Sequence, residues 1–219
     1  MSDAHLARDT WSARADAYRQ APEQREGADL DLIVDWASGS KTALDVATGG
    51  GHVTRRLREA GLEVVSSDPA PGMRPDVICR AEDLPFADGS FDLVVTRIAP
   101  HHFEDVPAAL AEMARISRDL DVVEDTLYVS EAVEEAEILR DPTHIRSYSE
   151  AEWRGFLESA GLAVEEVERV EKRHPLEEWL ARAGTSEEDG TRVRELLAEQ
   201  IEGDEYVDTK LVIRARKPA

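Results

Sequence analysis

The sequence predicts an α/β fold in which helices cover both faces of a mostly parallel sheet. Three observations predict it: short apolar runs alternate with segments of helical periodicity, the first run ends in a glycine turn that opens onto a helix, and the last segment alternates apolar with polar residues. Strands that alternate with helices pair in parallel, because each helix returns the chain to the same end of the sheet. A chain of 219 residues suffices for one core, so we expect a single domain, 1–219.

The first half of the chain supplies a strand, a glycine turn, a helix and a second strand. Helical segments at about residues 6–19 and 28–37 come first. Ala43–Ala47 is a short apolar run that ends in glycines, as a buried strand entering a tight turn does. Apolar residues then recur at helical spacing until Gly61 ends the helix, and Leu62–Ser67 is predicted as the next strand.

The later elements continue this alternation. In chain order they are strands at 77–79 and 91–96, a helix at 106–117, a strand at 122–127, a helix at 149–160, a strand at 163–170 and helices at 176–180 and 193–197. The helix at 149 has the strongest signal, because Ser149 and Glu152 form a capping box and Gly161 ends the helix. Residues 207–215 alternate with a period of two, which predicts an antiparallel edge strand.

Composition excludes several classes of partner. The 47 acidic residues outnumber the 26 basic ones, and a net charge of -21 makes nucleic acid and anionic membrane surfaces poor candidates. No apolar run approaches the roughly 18 residues of a membrane-spanning helix, and the N-terminus lacks the apolar core of a signal peptide. We therefore predict a cytoplasmic protein without membrane insertion. A single cysteine, Cys79, excludes an internal disulfide and a Cys-rich zinc site, and we expect no bound metal.

Two interpretations of the acidity stay open. Glu on many exposed helix faces would give an ordinary solvated surface. Alternatively, only four of the 26 basic residues are lysines, which together with the charge suits a salty cell interior in which salt screens the repulsion. High-GC codon usage would also favour Arg over Lys.

The glycine turn is the first candidate binding site. In the segment 44–52 (LDVATGGGH) a strand ends in Asp45, and a turn containing Thr48, Gly49 and Gly51 opens onto a helix. Glycine permits positive φ and removes the Cβ atoms that would collide with a ligand, while the helix N-terminus presents free amide donors. An ordinary strand-to-helix turn is the alternative.

Two features favour a ligand with an amino-acid head over a dinucleotide. The dinucleotide pattern G-x-G-x-x-G/A requires a small residue where Thr54 stands. Asp45, four residues before Gly49, would pair with an ammonium group and repel a pyrophosphate. Asp68 follows the next strand, 17 residues beyond Gly51, where its carboxylate can accept hydrogen bonds from both hydroxyls of a ribose.

Five segments together carry a family resemblance: LDVATGGGH (44–52), SSDPAPGM (66–73), AEDLPFADGSFDLVV (81–95), TRIAPHHFEDVPAALAEMARI (96–116) and RDPTHIRSYSEAEW (140–153). With them, the sequence resembles the class I S-adenosylmethionine-dependent methyltransferases, in particular the ubiquinone and menaquinone biosynthesis (type 11) group. The resemblance covers most of the chain and implies a three-layer Rossmann-like fold with a mostly parallel seven-stranded sheet and an antiparallel edge strand. It also implies methyl transfer from S-adenosylmethionine to a small-molecule acceptor, with S-adenosylhomocysteine as the product.

The resemblance assigns cofactor contacts residue by residue. The implied set is Tyr18, Asp45, Thr48, Gly49, Gly51, Asp68, Met73, Ala81, Glu82, Asp83, Thr96 and Arg97. Asp45 and the glycine turn would hold the methionine end, Asp68 the ribose, the segment 81–83 with Met73 the adenine, and 96–97 would line the methyl-donor end. Within the single domain, residues 1–40 resemble a lid, 41–128 the cofactor-binding core and 129–219 the acceptor-side and C-terminal half. Tyr18 lies in an aromatic stripe that belongs either to this lid or to the core.

The chain departs from the family in two places. Arg80 stands where an acid often precedes the adenine segment, and the 12 residues between Asp68 and Ala81 are too few for the usual helix. We expect a turn around 71–75 to cover that face. The segment from Asp125 to Arg140, which commonly roofs the acceptor site, is shorter than usual.

The candidate catalytic residues are His101, His102 and His144. The sulfonium cofactor already carries an activated methyl group, so no protein nucleophile is needed. A neutral histidine suits the removal of a proton from a hydroxyl, amine or acidic carbon. The alternative is a histidine that caps a helix or satisfies a core hydrogen bond. Arg97 would either orient an acidic acceptor or bond to the lid.

Two other functions stay open at this point. One is a protein of the same fold that binds the cofactor without turnover, and the other is an NAD-dependent oxidoreductase, against which Thr54 argues. The acceptor, and whether the protein is a monomer or a homodimer, do not follow from the sequence.

Overall fold

The computed structural model describes the backbone of residues 3–218 and the side chains of residues 8–218 other than residue 23. Within this range the strands are β1 Thr42–Val46, β2 Glu63–Ser67, β3 Phe91–Arg97, β4 Ser117–Thr126, β5 Ala163–Pro175, β6 Ile201–Glu202 and β7 Glu205–Arg216. They form one sheet in the order β2-β1-β3-β4-β7-β5, with the short β6 paired to β7. Pairing is parallel from β2 to β4, whereas β7 is antiparallel to both of its neighbours. This arrangement confirms a mostly parallel seven-stranded sheet with an antiparallel region at one side, where β7 lies one place inside the outermost strand β5.

Helices cover both faces of the sheet. Those of the described residues are α1 Asp3–Gln20, α2 Pro22–Arg25, α3 Ala28–Trp36, α4 His52–Glu59, α5 Val106–Ile116, α6 Glu131–Arg140, α7 Glu150–Ser159, α8 Leu176–Ala183 and α9 Glu187–Leu196. Side-chain caps start four of them, at Asp105, Ser130, Ser149 and Ser186. The capping box of Ser149 with Glu152 is confirmed, because both of its hydrogen bonds are present. None of the helices in residues 3–218 is long and apolar enough to cross a membrane.

Alternate residues of the central strands feed two cores. Leu93 and Val95 of β3 pack with α3 and α4 on one face, through residues such as Leu30 and Leu57. Val94 faces the opposite core, which α5 and α7 complete. Side chains of successive strand residues point to opposite faces, so a strand buried on both sides is apolar throughout. This explains why β1 and β3 are mostly apolar, with Asp45 and the other polar residues of the two strands as the exceptions.

The strand predicted at Val77–Cys79 does not form. Only an isolated bridge joins Val77 to Ser67, at the open edge of β2. Ile78, the central residue of this run, is 60% exposed there and covers no core that would select a full strand. The turn expected around 71–75 is present as a single 3₁₀ turn, Pro71–Met73, and α1 packs on it.

Candidate functional site

A cavity of about 430 Å³ opens at the carboxyl ends of β1 and β3. Its wall consists of the glycine turn after β1, residues 68–69 after β2, the segment 78–82 and the segment 97–99 after β3. Trp11 and Tyr18 of α1 also line it, so the N-terminal helix covers the cavity. In an open α/β sheet, ligands bind at the carboxyl ends of the strands. The cavity is therefore the candidate site.

The chain bends sharply where it leaves both central strands at the cavity. Gly49 and Gly51 have φ of 51° and 76°, and Gly51 is the N-cap of α4. Two residues with a Cβ also have positive φ, Ala47 at 55° and Ile98 at 51°. A left-handed β-branched residue such as Ile98 costs about 1–3 kcal/mol and persists only where the surroundings impose it. Both bends face the cavity, so backbone strain is concentrated at the site.

Asp45 is a buried carboxylate on the cavity wall. One of its oxygens, Oδ2, accepts hydrogen bonds from the Thr48 hydroxyl at 2.6 Å, the Thr54 hydroxyl at 2.6 Å and the Thr54 amide at 3.0 Å. Burial raises the pKa of Asp45 above its usual value, although these hydrogen bonds oppose the shift. Thr54 therefore anchors the Asp45 carboxylate. It does so at the position where a dinucleotide fingerprint needs a small residue.

Asp68 is the second buried carboxylate of the cavity. It accepts hydrogen bonds from the Gly49 amide at 3.0 Å and the Ala70 amide at 2.8 Å, so it also braces the glycine turn. Burial, assisted by the nearby charge of Asp45, raises the pKa of Asp68 to about 6. Asp45 lies near the carboxyl end of β1 and Asp68 directly follows the adjacent parallel strand β2, which is why residues 23 positions apart meet at one edge of the sheet.

Arg80 lines the cavity at the chain position where the resemblance implies an acid. Its Nη2 donates to Glu104 at 2.9 Å, and its Nε lies 3.3 Å from Glu82. Met73, Ala81 and Glu82 line the cavity as well. The guanidinium is thus held between two carboxylates on the cavity wall.

The structure divides the predicted cofactor residues into two sets. Nine lie on the cavity wall: Tyr18, Asp45, Thr48, Gly49, Asp68, Met73, Ala81, Glu82 and Arg97. Gly51, Asp83 and Thr96 do not lie on the wall. Thr96 is fully buried and follows the alternation of β3, so its side chain leaves the strand on the face opposite to that of Arg97. Gly51 is the N-cap of α4 and acts through the backbone turn.

Arg97 is bound within the protein. Its guanidinium lies 2.5 Å from Asp29 of α3 and 3.1 Å from Glu124 of β4, and it donates to the Gln24 carbonyl at 3.3 Å. Lys172 lies 2.8 Å from the same Asp29 carboxylate. Of the two alternatives for Arg97, a bond to the N-terminal segment is the one the structure contains.

This buried ion cluster shifts the pKa values of its acids in opposite directions. Burial alone would raise the pKa of Asp29, but the charges of Arg97 and Lys172 together hold it below its usual range. Burial raises the pKa of Glu124 to about 8, against the attraction of Arg97. Asp29 is therefore the acid that most strongly compensates the charges of Arg97 and Lys172.

The three candidate histidines lie together. Ring centroids are 4.1 Å apart for His101 and His102 and 5.2 Å apart for His101 and His144. Only His102 lies on the cavity wall, where its ring meets the edge of Trp11 at 4.7 Å. No group of three or more His, Cys, Asp or Glu side chains in the described part of the chain is arranged to hold a metal ion.

Each histidine has its own hydrogen-bond partner. His101 Nδ1 lies 2.5 Å from the buried Asp125 carboxylate, and His144 Nε2 lies 2.9 Å from Glu134. His102 Nδ1 lies 2.9 Å from the Thr143 carbonyl, which can only accept, so Nδ1 carries the proton and Nε2 has the free lone pair. Burial and the neighbouring His101 hold the pKa of His102 well below its usual value. Burial lowers the pKa of His101 as well, but Asp125 outweighs it and the pKa is raised.

The N-terminal helix α1 is fastened over the cavity by contacts with Gly72 and His52. The Gly72 amide donates to the Ser12 hydroxyl at 3.2 Å, and the Gly72 carbonyl accepts from Arg19 at 3.1 Å. Near Gly50, His52 Nε2 lies 3.0 Å from the Tyr18 carbonyl. Sequence reasoning missed His52, whose available signal was its place directly after the glycine turn.

Gly72→Ala is expected to displace α1. A Cβ at Gly72 would lie 2.5 Å from the Ser12 carbonyl oxygen and 2.6 Å from its Cα, so the helix backbone must move. Overpacking of this kind costs about 1–3 kcal/mol. We expect urea unfolding to show that loss and trypsin to cleave faster within α1. Gly155→Ala is the matched control, because Gly155 lies inside α7 with nothing within 4 Å of a new Cβ, and it should gain about 0.5–1 kcal/mol. Equal trypsin rates for Gly72→Ala and wild type would contradict this role of Gly72.

The sequence and the fold of this chain were compared with those of known proteins. A family model described as "Methyltransferase domain" matches residues 44–119, which contain both cavity carboxylates and the glycine turn. The chain is similar to YcgJ of Bacillus subtilis, an uncharacterized methyltransferase, with 29% identity over 200 residues that cover 80% of this chain and 79% of YcgJ. The crystal structure of YcgJ matches the fold with a TM-score of 0.79 over 87% of this chain and 98% of that chain, at 22% identity. The chain is a class I methyltransferase.

Two further relatives extend the comparison. The structure of BH2331 from Bacillus halodurans matches this methyltransferase with a TM-score of 0.77 and 26% identity, over 88% of this chain and 100% of that chain. A demethylmenaquinone methyltransferase of Beutenbergia cavernae is 38% identical over 101 residues. That match covers 42% of this methyltransferase and 41% of the relative, so it does not extend to the whole of either chain.

Proposed function

We propose that this methyltransferase moves a methyl group from S-adenosylmethionine to a proton-bearing atom of a small-molecule acceptor. The observation that carries the proposal is the pair of buried carboxylates, Asp45 and Asp68, on either side of one glycine turn at the cavity. Two acids side by side favour a ligand that presents a cation and hydroxyl donors. They disfavour a pyrophosphate, which is the ligand of the oxidoreductase alternative.

The groups on the cavity wall fit the cofactor. Asp45 would hold its ammonium group, Asp68 its ribose hydroxyls, and Met73 with Ala81 its base. When bound, S-adenosylmethionine supplies an activated methyl group, so the protein has to orient the acceptor and exclude water. Trp11 and Tyr18 of α1 support the second task, because they cover the cavity with aromatic surface.

His102 is the base that we assign to the acceptor. It is neutral near pH 7, its Nδ1–H is committed to the Thr143 carbonyl, and it lies on the cavity wall with Nε2 available to accept a proton. Asp125 raises the pKa of His101, and the positive charge that His101 then favours keeps the neighbouring His102 neutral before the acceptor binds. His144 contacts His101 from behind and braces the cluster through Glu134.

Thermal unfolding with S-adenosylhomocysteine tests the cofactor assignment, with NAD as the control ligand. A ligand at 100 times its dissociation constant stabilises a protein by about 2.7 kcal/mol. For a chain of this size the midpoint should rise by roughly 5–10 °C. A shift with S-adenosylhomocysteine alone is the expected result, and a shift with NAD alone would overturn the proposal. Binding without transfer to any acceptor in a broad panel would favour the binding-only alternative.

Cofactor affinity should rise with pH through Asp68. A carboxyl group with a pKa of about 6 is mostly protonated at pH 5, and only its ionised form accepts two hydrogen bonds from a ribose. In the ligand-free protein the folded state therefore holds this proton more tightly than the unfolded chain, so the contribution of Asp68 to stability falls as pH rises from about 4 to 6. We expect S-adenosylhomocysteine to bind about tenfold more tightly at pH 7 than at pH 5 in calorimetric titrations. Asp68→Asn should bind weakly with a much flatter pH profile, and a profile as steep as that of wild type would assign the effect to another group.

A further inference from the structure

Two residues of α1 reach His102 by separate routes. The Trp11 ring meets the His102 ring edge-on, with centroids 4.7 Å apart. Three positions further along α1, the Arg14 guanidinium lies 3.1 Å from the Asp141 carboxylate in the loop behind His102. Residues three apart share a helix face. One face of α1 therefore touches His102 directly and also holds the loop that supports it.

Asp141 is the centre of the second route. Its Oδ1 accepts hydrogen bonds from the Thr143 amide at 3.0 Å and the Thr143 hydroxyl at 2.8 Å, in addition to the one from Arg14. The side chain of Asp141 is only 3% exposed, so solvent cannot replace these donors easily. The Thr143 carbonyl then accepts the Nδ1–H of His102 at 2.9 Å. The buried Asp141 carboxylate thus holds both Arg14 of α1 and Thr143, whose carbonyl accepts the hydrogen bond from His102.

The contacts close into a ring that runs through Arg14, Asp141, Thr143, His102 and Trp11 and returns to Arg14 along the helix. Its members come from three places in the chain: α1, the 3₁₀ turn at 100–102 and the loop after α6. Because the contacts form a closed ring, displacement of one member disturbs the contacts of the others. A displacement of α1 that removes Arg14 from Asp141 therefore also loosens the carbonyl that holds His102.

We propose that Asp141 is a positioning residue that couples the seating of α1 over the cavity to the tautomer and orientation of His102. The inference rests on the proposed function only in taking His102 as the base. With α1 seated, the proton stays on Nδ1 and Nε2 is free to accept one from the acceptor. With α1 displaced, the Thr143 carbonyl no longer selects that tautomer. His102 is then ready to accept a proton only when α1 covers the cavity and excludes water.

Other charges around His102 do not substitute for Asp141. The titratable groups against its ring are His101 in the same turn and His144 in the loop, and both oppose a positive charge on His102. Asp141 favours that charge, and its partner Arg14 comes from α1. Asp141 is therefore the acid that connects His102 electrostatically to the helix.

The test is the tautomer of His102 in the ligand-free protein, measured from side-chain ¹⁵N chemical shifts with His102→Gln to assign the signal. Wild type should be mainly Nδ1–H. Loss of a hydrogen bond worth about 1 kcal/mol changes such a ratio about fivefold. We expect Asp141→Asn and Arg14→Gln each to shift the ratio toward Nε2–H by about that factor. The double variant should add little to either, because both act through one path. Hydrogen exchange of α1 amides should become faster in both variants.

Two controls separate positioning from general damage. Arg14→Lys keeps the charge and should restore most of the wild-type ratio. Arg146→Gln removes an exposed ion pair with Glu152 from the same loop and should leave the ratio unchanged. A wild-type ratio in both Asp141→Asn and Arg14→Gln overturns the proposal, and Arg14→Gln alone decides if Asp141→Asn does not fold. Failure of wild type to bind S-adenosylhomocysteine would instead overturn the proposed function and leave the tautomer result standing.

Discussion

Asp45→Ala should weaken binding of S-adenosylhomocysteine by about 30- to 1,000-fold. Removing one partner of a buried, hydrogen-bonded charge pair costs about 2–4 kcal/mol, and each 1.4 kcal/mol is a factor of ten in affinity. The loss has two physical sources. The ligand ammonium loses its counter-charge, and the hydroxyls and amide of Thr48 and Thr54 lose the oxygen to which all of them donate. Isothermal titration calorimetry measures the affinity directly.

Two comparison variants control for the change in net charge and for the loss of side-chain shape. Asp35 is an exposed acid on α3, so Asp35→Ala changes the net charge equally and should leave affinity within about twofold. Asp45→Asn keeps the shape of the side chain and removes its charge. The difference in affinity between Asp45→Asn and Asp45→Ala therefore measures how much of the loss comes from the hydrogen bonds that hold the turn. Wild-type affinity in Asp45→Ala would show that the amino-acid head of the ligand does not lie at this carboxylate.

Arg97→Met should destabilise the protein by about 3–5 kcal/mol. Removing one partner of a buried ion pair has costs of this size, because the remaining acids lose a counter-charge and hydrogen bonds that water cannot replace. Arg97 is 5% exposed, and its partners Asp29 and Glu124 are fully buried. Since natural domains are stable by only about 5–15 kcal/mol, a large share of the total would be lost. Equilibrium urea unfolding measures the change.

The matched control is an arginine that pairs at the surface. Arg56 lies 2.5 Å from Asp31, whose side chain is 66% exposed, so Arg56→Met should cost no more than about 1 kcal/mol. Asp29→Asn combined with Arg97→Met should be less destabilising than the sum of the two single variants, because both variants break the same Arg97–Asp29 contacts. A loss for Arg97→Met as small as that for Arg56→Met would mean that the cluster does not anchor the N-terminal segment.

The site was predictable from the sequence where the determinants are local. The turn from Asp45 to Gly51 lies within seven residues, and its spacing is recognisable without a structure. Asp68 was found because it ends the next strand, and parallel strands end at one edge of the sheet. The three histidines were candidates from their motifs. Which of them reaches the cavity depended on packing, and it is His102.

The prediction of a strand at Val77–Cys79 was wrong for an equally physical reason. A run of three apolar residues satisfies the pattern of a strand, but a strand also needs a partner edge and a core to cover. Ile78 has neither, since only Val77 bridges to β2 and Ile78 remains exposed. Short apolar runs at a sheet edge are therefore ambiguous in sequence.

What the sequence determined by itself was the alternation of strands and helices, the acids at the strand ends and the strained turn between them. These depend on hydrophobic period and backbone freedom, which act over a few residues. Only the tertiary structure decided the partners of the buried charges. Arg97 meets Asp29 across 68 residues, and Arg14 meets Asp141 across 127. Such pairs form because packing removes both groups from water at the same place, and no local pattern encodes which two will meet.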